Sequence, residues 1–139
     1  MMQFDLEEYT GYTIDSAVLR FMIYAAGCVG TTFDIFHITQ EWDETWSGSH
    51  ASHGNDVWYD NYNIGSTGWH ELDITDLIQT WLSGSLENHG LVMACINNNQ
   101  ADSRMYSRDV SSESLRPYIL LTVPLAFDQS TWGSIKNTF

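Results

Sequence analysis

The stretch that decides the fold is residues 67–84, which read TGWHELDITDLIQTWLSG. From Trp69 to Ile74 polar and apolar residues alternate, which is the pattern of a strand with one buried face. Beyond that point the spacing changes to three and four residues, which places the apolar side chains on one side of a helix. The apolar positions of this predicted helix are Ile74, Leu77, Ile78, Trp81 and Leu82.

Residues at the two ends of this apolar stripe limit the predicted helix to about 74–83. Asp73 or Thr75 can accept hydrogen bonds from the first amides, and Gly84 can adopt the left-handed conformation that ends a helix. A strand therefore leads directly into a short helix. Because its apolar side must be buried, we expect the helix to cover an open end of a sheet core.

The composition restricts the classes of partner. The chain of 139 residues carries 18 acidic and 5 basic residues, with a formal net charge of -13. Such a chain repels nucleic acid, because it has no basic stripe that could displace the counterions around phosphates. No apolar run is long enough to span a bilayer. The acidity favours solubility, with cation binding as the alternative, and the polar composition suggests an extracellular or cell-surface protein.

The rest of the chain is predicted to consist of strands. Residues 14–26 alternate clearly, and place Ala17, Leu19, Phe21 and Ile23 on one face. Further strands are predicted at 2–6, 33–39, 91–96 (buried on both faces), 104–108 and 118–123. Short strands at regular spacing with one helix predict an all-β domain over residues 1–124. The expected architecture is an antiparallel β-sandwich of jelly-roll type.

Residues 125–139 are predicted to form a C-terminal tail outside this domain. Trp132, Ile135 and Phe139 follow one another at intervals of three and four residues, which is typical of a short amphipathic helical segment. An exposed apolar stripe of this kind needs a surface to cover. These three residues are therefore the candidate assembly contacts.

A second aromatic group lies in the middle of the chain. Residues 40–66 lack aliphatic periodicity and are predicted to form a long loop, which in a compact domain often carries function. An aromatic ring offers apolar surface to the face of a sugar, while hydroxyl and indole groups can bind its rim. The candidate sugar-stacking residues are Trp46, Trp58, Tyr59 and Tyr62. Packing of the same rings against the sandwich is an equal alternative.

Few residues suggest metal or catalytic chemistry. Asp60, Asn61 and Asn63 offer oxygens of the kind that calcium prefers, but they do not follow the spacing of a twelve-residue calcium loop, so ordinary turn chemistry is the preferred explanation. The carboxylates at 41–44 could act as a pair in glycoside cleavage, but we expect them to form a solvated edge. Apart from possible calcium, no cofactor is expected, and no catalytic motif is present.

Four stretches follow one another in an order that is typical of a known family. They are FDL at 4–6 with TIDSAVLR at 13–20, HITQEWDE at 37–44, the segment 69–91 ending in NHGL, and YS at 106–107 with LRPYI at 115–119. Together they resemble the DNRLRE domain family of secreted polysaccharide-degrading and cell-surface proteins, some of which are classed as carbohydrate-binding modules. The resemblance implies a jelly-roll β-sandwich, a secreted setting and no catalysis.

Two functions follow from these expectations. The first is a non-catalytic carbohydrate-binding module with a polysaccharide or glycan as its partner. The second is a structural subunit of an extracellular filament, sheath or virion-like assembly. Family members normally have a further strand before the position of Phe4, so we expect an unpaired edge that a strand or tail of a neighbouring copy would complete. An enzyme is not expected.

Overall fold

The computed structural model describes residues 1–25, 30–47, 50–96 and 104–124. In chain order its elements are β1 (Ser16–Ile23), β2 (Thr32–Ile38), β3 (His53–Asn63), β4 (Gly68–Asp73), α1 (Thr75–Leu82), β5 (Leu91–Cys95) and β6 (Tyr118–Thr122). The strands form two antiparallel sheets with the orders β4-β1-β6 and β3-β2-β5. The predicted antiparallel β-sandwich is confirmed, and its jelly-roll topology stays a prediction.

The central strand β1 fixes the position of the core. Its residues Ala17, Leu19, Phe21 and Ile23 are buried, as the alternation predicts. β1 is paired with β4 on one side and with β6 on the other. Because successive side chains of a strand point to opposite faces, the intervening residues of β1 lie on the outer surface of its sheet.

Residues 68–82 form the strand and helix that the change of period predicts. The Ile74 amide donates to the Ala17 carbonyl at 3.0 Å, and the Ala17 amide donates to the Thr75 hydroxyl at 3.0 Å. These two bonds fix the first turn of the helix to β1. The buried side chains of α1 are Leu77, Ile78, Trp81 and Leu82. The helix therefore covers part of the core, as expected.

The prediction of a loop over residues 40–66 is wrong for its second half. β3 occupies His53–Asn63 and is paired with β2 along its length. The pairing is irregular, with register shifts between Phe33 and Ile38, and Asn61 has a positive φ of 51°. Such irregularities break the two-residue alternation by which a strand is recognised in a sequence, so the pattern of residues 53–63 does not predict β3.

The prediction that residues 91–96 form a central strand buried on both faces is also wrong. β5 lies at the edge of its sheet, and only Leu91 and Val92 are buried. The strand predicted at 2–6 is reduced to a bridge, in which Met2 and Leu91 exchange hydrogen bonds of 2.9 and 2.8 Å. The apolar content of residues 91–96 does not distinguish a central strand from an edge strand. The segment at Met2 pairs with Leu91, and the loop that carries Trp42 and Ala51 packs on Val92, so both side chains are buried without a second neighbouring strand.

A small second core lies on the opposite side of the β3-β2-β5 sheet. It consists of Ile38, Ala51 and Val92, with Phe36 and Trp42 packed against them. The Trp42 indole donates to the carbonyl of His89 at 2.6 Å. The loop between β2 and β3 therefore folds over the outside of its own sheet, which holds Trp42 in place.

The remaining predictions concern the C-terminal part of the chain. The strand predicted at 104–108 is reduced to a bridge between Met105 and Ile23, in which the Tyr24 amide donates to the Arg104 carbonyl and the Tyr106 amide donates to the Met22 carbonyl, both at 3.1 Å. The candidate assembly contacts Trp132, Ile135 and Phe139 lie outside the described residues. Within the described ranges, no helix has the length and apolar character needed to cross a membrane.

Candidate functional site

Three of the four candidate sugar-stacking residues lie on β3 and pack against the core. Trp58, Tyr59 and Tyr62 are partly buried, and the rings of the two tyrosines meet edge to face with 5.8 Å between their centroids. The Trp58 indole donates to Nδ1 of His37 at 2.9 Å. The Tyr62 hydroxyl lies 2.6 Å from Nδ1 of His70. Their contacts are those of packing residues, and their role in sugar binding stays a prediction.

Trp46 lies apart from these three residues. It is 41% exposed and lines a groove of about 640 Å³ together with Trp42. The other walls of the groove are largely apolar and include Met93 and Met105. The structure therefore separates the predicted aromatic cluster into a packed group on β3 and a partly exposed indole in the loop before it.

The candidate calcium residues lie at the C-terminal end of β3. The Asn61 amide donates to a carboxylate oxygen of Asp34 at 2.8 Å. The Asn63 side chain donates its amide hydrogen to the Thr32 hydroxyl at 3.1 Å. Among the described residues, no group of three or more His, Cys, Asp or Glu side chains could hold a metal ion. Calcium binding at Asp60, Asn61 and Asn63 stays a prediction.

The carboxylates at 41–44 have separate partners. Asp43 accepts hydrogen bonds from the amide and the hydroxyl of Thr45, at 2.8 and 2.5 Å. Glu44 forms an ion pair with Arg108. The hydrogen bonds from Thr45 lower the pKa of Asp43 below its ordinary value. A general acid in glycoside hydrolysis needs a raised pKa, whereas the pKa of Asp43 is lowered.

A different group of residues forms the most distinctive exposed surface. Arg20 stands on the outer face of β1, and the pairing register places it opposite Glu71 on β4 and Tyr118 on β6. Trp69 is two residues before Glu71 and faces the same way, because side chains alternate along a strand. We call this group, Arg20, Trp69, Glu71 and Tyr118, the outer platform.

The outer platform is held together by its arginine. The guanidinium carbon of Arg20 lies 5.5 Å from the ring centroid of Trp69 and 5.5 Å from that of Tyr118. Nε of Arg20 is 2.8 Å from a Glu71 carboxylate oxygen, and Nη1 donates to the Tyr118 hydroxyl at 2.5 Å. The guanidinium therefore contacts both rings, and the ion pair with Glu71 and the hydrogen bond to Tyr118 hold it between them.

Both rings of the platform remain accessible to solvent. Trp69 is 37% exposed and Tyr118 is 38% exposed, and their centroids are 5.9 Å apart. Leu120, which lies two residues beyond Tyr118 on β6, is 54% exposed. Charge is balanced locally, because the guanidinium faces the Glu71 carboxylate. The platform thus offers oriented aromatic surface with polar groups beside it on a chain that is otherwise strongly acidic.

The sequence contains only part of the signal for this platform. The alternation of β1 and β4 places Arg20 and Trp69 on outward faces, where each alone is consistent with a solvated surface. Nothing in a single sequence shows which strands are neighbours, or in what register. The one indication of the platform in the sequence is Trp69, a tryptophan on the outward face of a strand whose alternation is otherwise clear. Such a residue exposes a large apolar area.

No protein-family model and no curated protein matches this chain. The resemblance to the DNRLRE domain family therefore stays a prediction.

Proposed function

We propose that this chain is a non-catalytic glycan-binding module of an extracellular or cell-surface protein, and that the outer platform binds the sugar. The observation that supports this proposal is the pair of exposed rings, Trp69 and Tyr118, which Arg20 contacts from between them on the outer face of the sheet. Fixed rings lose little conformational entropy when a ligand covers them, which favours binding by stacking.

The chemistry of the platform suits a neutral sugar. Carbon-bound hydrogens of a pyranose can pack on the Trp69 or Tyr118 ring, while the Glu71 carboxylate can accept hydrogen bonds from sugar hydroxyls. Polymers of uronic acids are disfavoured, because they are anionic and the chain has a formal net charge of -13. The two repel each other at separations within the Debye length. We therefore expect neutral polysaccharides to be the better ligands.

Affinity electrophoresis through gels containing hydroxyethyl cellulose, xyloglucan, galactomannan or polygalacturonate tests the proposal. Retention by a neutral polymer is expected, and Trp69→Ala or Tyr118→Ala should weaken it by about tenfold or more, which corresponds to roughly 1.4 kcal/mol. Leu120→Ala is the matched control, since it removes an apolar side chain from the same face without touching a platform ring. Melting temperatures of all variants verify folding.

Further variants compare the platform with the aromatic residues predicted from the sequence. Trp46→Ala and Tyr59→Ala should leave retention unchanged if the platform is the site. If these variants lose retention while Trp69→Ala is retained normally, the binding site lies in the groove at Trp46 or on β3, and not on the platform. Absence of retention of the wild-type chain in every gel would contradict glycan binding.

A structural subunit of an extracellular assembly is the second candidate function. The observation that favours it is the position of β6 at the edge of its sheet, with exposed Leu120 and Val123. Such an edge can accept a strand from a neighbouring copy. Sedimentation velocity over a wide range of concentrations tests this function, because a chain that stays monomeric throughout would contradict it.

A further inference from the structure

Two histidine rings lie side by side where the loop before β3 meets the strand. The ring centroids of His50 and His53 are 5.1 Å apart, and the ring planes are inclined by 46°. His53 also stacks on Phe36, with 4.3 Å between the ring centroids. Because Phe36 packs against the second core, the histidine pair lies on the outer side of the β3-β2-β5 sheet. The outer platform belongs to the other sheet, so the two surfaces are separate.

Each histidine ring has one nitrogen bound to the backbone. Nδ1 of His50 is 3.0 Å from the Ala51 carbonyl oxygen, and Nδ1 of His53 is 2.7 Å from the Gly54 carbonyl oxygen. A carbonyl oxygen can only accept, so both Nδ1 atoms carry the hydrogen, and in the neutral rings each Nε2 has a lone pair. Histidines that bind metal ions in proteins usually donate their other ring nitrogen to a carbonyl or a carboxylate in this way.

The backbone between the two histidines is held against the neighbouring strand. The Thr39 amide donates to the Ser52 carbonyl at 2.9 Å, and the Thr39 hydroxyl donates to the same oxygen at 3.1 Å. Ala51 is completely buried. The two rings therefore extend from a short segment of fixed backbone, which reduces the conformational entropy that is lost when both rings bind one ligand.

We propose that Nε2 of His50 and Nε2 of His53 together bind one divalent metal ion that prefers nitrogen ligands, such as zinc or copper(II). With a metal–nitrogen bond of about 2.1 Å, such an ion lies about 3.2 Å from the centroid of each imidazole ring. Two centroids that are 5.1 Å apart then subtend about 105° at the ion, close to the tetrahedral angle of about 109°. The separation of the rings therefore fits two imidazoles on one metal ion.

The donor atoms determine the class of ion. Imidazole nitrogen suits zinc, copper and nickel, whereas calcium and magnesium prefer oxygen ligands. Among the described residues, no third His, Cys, Asp or Glu side chain joins the pair to form a larger group of ligands. Water molecules would complete the coordination, so the ion binds reversibly and more weakly than in a structural site with four protein ligands. The formal net charge of -13 favours the approach of any cation.

Isothermal titration of the full chain with zinc chloride tests this inference. We expect one ion per chain, and we expect His50→Gln or His53→Gln to weaken binding at least about tenfold, because even changes to groups behind a metal ligand have effects of that size. His50 is exposed, so its substitution should leave folding intact, which melting temperatures without metal verify. Equal affinity in the wild-type chain and in His50→Gln would overturn the inference.

Two matched variants separate the pair from other metal-binding side chains. His89→Gln removes a histidine that contacts Glu87 instead, and Cys95→Ser removes an exposed thiol that can bind zinc on its own. Both variants should bind zinc as the wild-type chain does. Loss of binding in either variant, with normal binding in His50→Gln, would place the ion elsewhere and contradict the inference.

Pulsed electron paramagnetic resonance with one equivalent of copper(II) counts the bound imidazoles directly. The remote nitrogen of a copper-bound imidazole modulates the spin echo, and two bound rings add combination frequencies that a single ring lacks. We expect these combination frequencies in the wild-type chain and their loss in His50→Gln. Modulation from a single imidazole in the wild-type chain, or none, would overturn the proposed chelation.

Discussion

At the scale of the single residue, the ring of His37 leaves no room for a side chain at Gly54. A β-carbon at Gly54 would lie 2.1 Å from Cε1 of His37, whose buried ring is held by the indole of Trp58. We expect Gly54→Ala to lower the free energy of unfolding by about 1–3 kcal/mol, through overpacking. Urea denaturation measures this loss.

Gly65 supplies the control for this prediction. A β-carbon at Gly65 would meet nothing within 4 Å, so Gly65→Ala should leave the unfolding free energy unchanged or raise it by up to about 1 kcal/mol. Equal urea midpoints for Gly54→Ala and the wild-type chain would show that the His37 ring moves aside freely.

The hydroxyl of Tyr62 satisfies a buried histidine. Nε2 of His70 is 2.7 Å from the Ser66 carbonyl, which can only accept, so that nitrogen carries the hydrogen. In the neutral ring, Nδ1 of His70 then accepts from the Tyr62 hydroxyl. Tyr62→Phe leaves this acceptor unpaired and should cost about 1–3 kcal/mol in urea denaturation. Tyr12→Phe, at a residue that is 49% exposed, should cost much less.

The same tyrosine contributes to alkaline sensitivity. Burial, followed by the nearby Tyr59, raises the pKa of Tyr62 above its ordinary value. The folded chain therefore keeps this proton at a pH where the unfolded chain releases it, and stability should fall as pH rises above about 10. Tyr62→Phe should make this fall less steep in denaturation curves recorded at increasing pH. A hydrogen bond with Glu8 raises the pKa of Tyr9 also, so some slope should remain.

At the scale of the element, the strand and helix at 68–82 could be predicted almost residue by residue. The reason is that two periodicities meet at Ile74, and each is free of interruption. β3 could not be predicted in this way, because its irregular register and the left-handed Asn61 interrupt the alternation. Regular elements are therefore visible in this sequence, and bulged ones are not.

The turn before α1 leads to a prediction about stability at low pH. The amide and hydroxyl of Thr75 donate to one Asp73 oxygen, at 3.0 and 2.5 Å, and these bonds lower the pKa of Asp73. Stability from this group should be present above about pH 4 and be lost as pH falls below it. Asp73→Ala should cost about 1 kcal/mol at neutral pH.

Asp73→Asn separates the hydrogen bond from the charge. Asparagine keeps an acceptor oxygen but cannot be protonated in this range, so most of the stability should remain while the acid dependence decreases. Thermal melts at several pH values measure both effects. If the melting temperature of Asp73→Asn falls with pH as steeply as that of the wild-type chain, the acid sensitivity comes from other carboxylates.

Asn61 gives the corresponding prediction for β3. Its φ of 51° is costly for a branched side chain, so Asn61→Val should lower the unfolding free energy by about 1–2 kcal/mol, whereas Asn61→Gly should be tolerated. Melting temperatures measured with calcium chloride and with chelator test the predicted calcium role separately. A calcium-dependent rise that disappears in Asn61→Gly would support that role.

At the scale of the whole molecule, charge repulsion should oppose folding. The formal net charge of -13 is unbalanced on a small domain. Raising the salt concentration from about 10 mM to about 100 mM shortens the screening length from about 30 Å to about 10 Å, and should raise the melting temperature. The variant Glu7→Gln/Glu8→Gln should show a smaller rise. A melting temperature that falls with salt would show that attractive pairs such as Arg20 and Glu71 dominate.

The architecture of the whole molecule was predictable, and its candidate site was not. Several short alternating strands with a single helix are enough to indicate a sandwich. The outer platform depends on β4, β1 and β6 being neighbours in a particular register, which places Arg20 between Trp69 and Tyr118. That information lies in the pairing of distant segments, and no local pattern contains it.

The two faces of β1 also have an evolutionary consequence. Leu19 and Phe21 are buried in the interior while Arg20 between them lies on the surface, so substitutions at outward positions can alter the chemistry of the surface without disturbing the packed interior. A single deleted residue in β1 would exchange the two faces and abolish both. We therefore expect this strand to tolerate diversification at every second position and no change in length, which makes it a natural scaffold for a display library.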